Sequence, residues 1–61
     1  MNITKKQYNK AVLLATRYND SEVLSELFNN AVIDNNADKA LNIRFNNGLY
    51  IVILIDGYSH S

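Results

Sequence analysis

Sixty-one residues with six basic and six acidic side chains make one small domain of zero formal charge, without the positive field of a nucleic-acid or membrane-surface binder. The lack of cysteine excludes a disulfide framework and a thiolate zinc site. With 48% apolar and 20% charged residues, the balance is globular rather than disordered.

A domain of this size buries only about 60% of the surface its unfolded chain exposes, so a partner subunit is a common source of added stability. The N-terminus has no signal-peptide apolar region, and the longest apolar run, Leu49 to Ile55, is too short to span a bilayer. The expectation is a cytoplasmic protein (host cytoplasm if a phage encodes it) with no membrane partner. Ten asparagines with abundant Ile, Lys and Tyr use AT-rich codons, a bias common in phage genomes.

The first helix is predicted over about residues 4–18. Thr4 and Gln7 form a capping-box pattern, and Ile3 with Tyr8 fits the accompanying hydrophobic staple. Tyr8, Ala11, Ala15 and Tyr18 recur at helical spacing, flanked by Val12 and Leu14. A second helix is predicted over about 20–33, with Asn19 and Glu22 repeating the box and Tyr18 with Val23 repeating the staple. Val23, Leu24, Leu27, Phe28 and Ala31 make its apolar face. The short link makes the two helices antiparallel neighbours.

After residue 39 the period changes from 3.6 to 2. Leu41, Ile43 and Phe45 alternate with Asn42, Arg44 and Asn46, predicting a strand over about 40–46. Asn47-Gly48 signals a two-residue type I′ hairpin turn into a second strand, about 49–55. Residues 57–61 read as a flexible tail. The fold class is therefore α+β, order ααββ, with two antiparallel helices packed on one face of a β-hairpin.

A two-residue turn sets Phe45 opposite Tyr50, Ile43 opposite Val52 and Leu41 opposite Leu54. The other face then carries Leu49, Ile51, Ile53 and Ile55, and two helices on one side leave it uncovered. Exposing four large aliphatic groups would forfeit about 1.5–3 kcal/mol each. The expectation is a homodimer or higher oligomer, its sheet extended or stacked across the interface formed by Leu49, Ile51, Ile53 and Ile55.

Charge is segregated along the chain. Residues 1–19 hold Lys5, Lys6, Lys10 and Arg17 without an acid, and residues 20–38 hold Asp20, Glu22, Glu26, Asp34 and Asp38 without a base. At 100° per residue Lys6, Lys10 and Arg17 share one stripe with Leu13 at its centre and Asn9 beside it. An aliphatic anchor ringed by polar groups is the pattern of a protein-binding surface. Lys6, Asn9, Lys10, Leu13 and Arg17 are therefore the candidate partner-binding residues, with nucleic-acid phosphate as an alternative ligand.

Asp34, Asn36 and Asp38 imitate the opening of a calcium loop, but Lys39 stands where glycine is required and Phe45 where the closing acid belongs. No metal or other cofactor is expected. The one histidine, His60, lies in the terminal tail, and no pattern pairs a nucleophile with a base. A non-enzymatic interaction protein is the reading: a phage-type inhibitor or regulator that binds and blocks a host or defence protein. The element order also resembles part of a winged helix-turn-helix with Asn46-Asn47-Gly48 at the wing tip, which implies a small nucleic-acid-binding transcriptional regulator. The outward Glu22, Ser25, Glu26 and Asn29 of its second helix would repel phosphate. An antitoxin is the remaining alternative.

Overall fold

A computed structural model of the chain describes residues 1–55 and the backbone of 59–60. It is a mixed α+β structure whose strands form two separate sheets rather than one hairpin. The order is β1 (Asn2–Ile3), α1 (Lys5–Arg17), α2 (Ser21–Asn30), β2 (Val32–Ile33), β3 (Leu41–Arg44), β4 (Tyr50–Ile53) and β5 (Ser59–His60). Strands β1 and β2 pair in parallel, and β3, β4 and β5 form an antiparallel sheet in that order.

Helix α1 begins as its sequence dictates. The Thr4 side chain accepts from the Gln7 N–H at 3.1 Å, and Gln7 Oε1 accepts from the Thr4 N–H at 2.9 Å, a complete capping box. Its buried face is Gln7, Ala11, Leu14 and Ala15. The two alanines, fully buried, let the helix backbone approach its neighbours closely.

Helix α2 departs from expectation at both ends. Its N-cap is Asp20, not Asn19, and Asn19 instead takes a left-handed φ of 53° that turns the chain between the helices. Its C-terminus falls at Asn30 rather than near 33, because the β-branched Val32 and Ile33 extend beside the N-terminal segment. The Val32 N–H donates to the Met1 carbonyl at 2.7 Å, and the Asp34 N–H to that of Ile3 at 2.8 Å. Leu27 is the buried residue of α2, with Val23, Leu24 and Ala31 packed against the core. Phe28, expected inside, is 62% exposed.

The β3–β4 register differs by one residue from that of a two-residue turn. Leu41 pairs with Ile53, Ile43 with Ile51 and Arg44 with Tyr50. The turn is a three-residue loop, Asn46-Asn47-Gly48. The Phe45 N–H donates to the Leu49 carbonyl at 2.8 Å, Gly48 N–H to the Phe45 carbonyl at 3.0 Å, and Gly48 sits at φ 88°. A three-residue hairpin loop puts a left-handed residue at its last position, and glycine takes that conformation without strain.

That slip reverses every side chain of β4. Ile51 and Ile53 join Leu41, Ile43 and Phe45 in the core, with Leu49 packed against it, while Tyr50 and Leu54 face outward. The dimer interface expected of Leu49, Ile51, Ile53 and Ile55 is therefore corrected: the chain covers the first three itself, and Ile55 alone stays 46% exposed. Nor is β4 free to pair with a copy, since β5 occupies its second edge, with Val52 opposite His60 and Ile53 opposite Ser59. The tail expected to be flexible thus contributes β5, and its residues 57, 58 and 61 lie outside the described residues.

Candidate functional site

Two buried polar clusters fix the helices against the hairpin. Gln7 is fully buried, and its Nε2 donates to the carbonyls of Lys39 at 3.1 Å and Ile53 at 3.2 Å. Thr4 Oγ1 donates to the Ile55 carbonyl at 3.1 Å. The capping box of α1 therefore doubles as a clamp on the end of β4. At the other end of α1, Asp20 Oδ1 accepts from the Val23 N–H at 3.2 Å, and both of its oxygens accept from Asn46 in the hairpin turn. Tyr18 packs on Phe45 beside it, with ring centroids 5.2 Å apart.

These clamps leave the opposite side of α1 to solvent. Lys6, Asn9 and Arg17 are exposed, Lys10 is half-buried, and Leu13 is 53% exposed while its neighbours Leu14 and Ala11 are buried. All five candidate partner-binding residues lie on α1, and Lys6, Lys10, Leu13 and Arg17 follow one another at i, i+4, i+7 and i+11. Positions so spaced line one side of a helix. No acid lies within α1 and no base within α2, so the stripe is a local cationic surface on a neutral protein.

The acidic loop 34–38 closes on itself. Asp34 Oδ1 accepts from the Asn36 N–H at 3.0 Å, and Asn35 Oδ1 accepts from the Lys5 N–H at 3.2 Å. Among the described residues no group of three or more His, Cys, Asp or Glu side chains is placed to hold a metal ion. No described helix is long and apolar enough to cross a membrane.

One surface feature was not foreseen from the residues. A groove of about 240 Å³ runs between α2 and the outer edge of β3, lined by Met1, Val23, Glu26, Leu27 and the strand Leu41–Arg44. The alternation of 41–46 marks which side chains point inward, but that β3 would lie at a sheet edge depends on where β5 pairs, and a two-residue strand carries no periodic signal. Comparison with protein-family models, curated proteins and solved structures gave no match.

Proposed function

We propose that the protein is a small non-enzymatic interaction protein that binds a partner protein through the α1 stripe and blocks it. The observation that carries this reading is Leu13, a large aliphatic side chain 53% exposed at the centre of Lys6, Lys10 and Arg17. An apolar anchor within a charged rim fits a complementary surface on which an apolar pocket is bordered by carboxylates. The rigid Gln7 and Asp20 clamps support it, because a preorganised helix loses little freedom on binding. Asparagine-rich, AT-rich composition and small size suggest a phage-type inhibitor acting on a host or defence protein.

The test is capture of partners from host lysate on immobilised parent protein and on Leu13→Asp. Leu13→Asp should lose the partner by at least tenfold in affinity, a hot-spot effect of about 1.4 kcal/mol or more, and keep its stability within about 0.5 kcal/mol. Equal capture by both proteins would remove Leu13 from the contact and sink the reading. Binding to unrelated DNA that falls steeply with salt would favour the phosphate alternative instead.

A further inference from the structure

The tip of the hairpin carries its own chemistry. Of the ten asparagines in the chain, only Asn47 precedes a glycine, and Asn47 and Gly48 are both exposed. A Cβ built on Gly48 would meet nothing within 4 Å beyond its chain neighbours, so no packed element screens the Gly48 nitrogen from water. The Asn47 side chain is folded toward that nitrogen. Its Oδ1 accepts from the Leu49 N–H at 3.0 Å, and an asparagine bonded to its own backbone two residues on curls its amide over the peptide between. The Leu49 N–H thereby stands where this oxygen would gain negative charge under nucleophilic attack on Cγ. Every other asparagine precedes a residue with a Cβ, which crowds the following nitrogen. Asn46, the other amide of the turn, is held in place, since its side-chain N–H donates to Asp20 at 3.1 Å.

We infer that Asn47 is a self-modification site, where the side-chain amide is lost through a cyclic imide to leave aspartate or isoaspartate. Hydroxide takes the Gly48 N–H proton, and the nitrogen attacks Asn47 Cγ. The Cγ–Nδ2 bond breaks, and the leaving nitrogen takes a proton from water and departs as ammonia, regenerating hydroxide. Water then opens the ring. Cleavage at Cγ gives aspartate, whereas cleavage at the backbone carbonyl carbon leaves the chain running through Cβ and Cγ as isoaspartate. One water is consumed and one ammonia released, and nothing is oxidised or reduced. In the closed turn the Gly48 N–H donates to the Phe45 carbonyl at 3.0 Å, so the reaction waits on the opening of that bond, an event of low cost at a loop tip. Isoaspartate adds a methylene to the backbone directly after Asn46, the residue that Asp20 grips. Conversion therefore loosens the tie between α2 and the hairpin. The α1 stripe takes no part, so this site stands or falls independently of the inhibitor reading.

The test is a timed incubation of the full chain at physiological temperature across a pH series, with circular dichroism to follow the fold. Cleavage after Arg44 releases the fragment from Phe45 to Ser61, whose mass and fragmentation locate each lost amide. The mass gain of amide to acid separates Asn47 from Asp56-Gly57, where the same ring forms with loss of water and hydrolysis restores the mass. Asn47 should convert roughly tenfold faster than any other asparagine, a barrier difference of about 1.4 kcal/mol. Both acidic isomers should appear, the rate should rise in proportion to hydroxide, and the urea midpoint should fall as isoaspartate accumulates. Gly48→Ala should slow the reaction by roughly tenfold or more, because its Cβ crowds the attacking nitrogen. Alanine at φ 88° also strains the turn, so if that variant unfolds, the site map and pH series of the parent protein decide. A parent that keeps its amide at 47 for weeks, loses another asparagine amide first, or converts at a rate indifferent to hydroxide overturns the inference.

Discussion

Asp20 and Asn46 are joined twice: one carboxylate oxygen accepts from the Asn46 backbone N–H at 2.8 Å, the other from its side-chain amide at 3.1 Å. Asp20 is also the N-cap of α2 and is buried at 4% exposure. One side chain therefore sets where α2 begins and holds the hairpin turn against it.

Asp20→Ala should lower stability by roughly 2–4 kcal/mol, combining loss of a cap with donors left unpaired. Asp20→Asn tests the geometry more finely. An Asn side chain caps helices well, but its NH₂ must replace one oxygen and would face an N–H donor. A loss of about 1–3 kcal/mol is expected. Urea unfolding measures both, and an Asp20→Asn variant as stable as the parent would show that the second oxygen contributes nothing.

Gln7 separates local from tertiary demands. As the N3 residue of a capping box it is interchangeable with Glu, so Gln7→Glu preserves the helix start. Its Nε2, however, donates to the carbonyls of Lys39 and Ile53 from a fully buried position. A carboxylate there would face two acceptors without water, costing at least about 2 kcal/mol at neutral pH. Burial and the facing carbonyls favour the neutral acid, so the variant's folded-state pKa lies above its unfolded value. A raised pKa means the penalty is least below the ordinary glutamate range near ~4.3 and grows as pH rises through the folded-state value. Urea midpoints of variant and parent from acid to neutral pH should therefore diverge as pH increases; a constant gap would count against this account.

What the residues alone revealed was local. The Thr4–Gln7 box, the extent of α1, the outward stripe around Leu13 and the alternation of 41–46 each depend on contacts within a few residues. The rest required knowledge of distant neighbours. Asn19 and Asp20 are both good caps, and Asn46, 26 residues away, favours the aspartate. Asn47-Gly48 suits a two-residue turn and also the last two places of a three-residue one, so the turn dipeptide left the register open. Strands β1, β2 and β5 are two residues each and exist through pairing alone, too short for any period. The aliphatic face expected at an oligomer interface depends on the same point: a register one residue off turns Leu49, Ile51 and Ile53 outward, whereas here they lie in or against the core and Ile55 stays exposed.

That register has a direct mutational signature. With a two-residue turn, Leu54 would face inward opposite Leu41 and Ile53 outward, so Leu54 would be the costlier of the two to truncate. In the three-residue loop Ile53 is fully buried and Leu54 is 36% exposed. Ile53→Ala should cost about 2–5 kcal/mol, the range for removing a core aliphatic group and leaving a cavity. Leu54→Ala should cost less, about 1 kcal/mol or below, since its side chain lies outside the core. Chemical denaturation of the two variants measures the difference. A larger loss at Leu54 than at Ile53 would return Ile53 to the outer face and with it Leu49 and Ile51, because a strand's side chains change faces together; the hairpin would then present an aliphatic surface that only a second copy or a partner could cover.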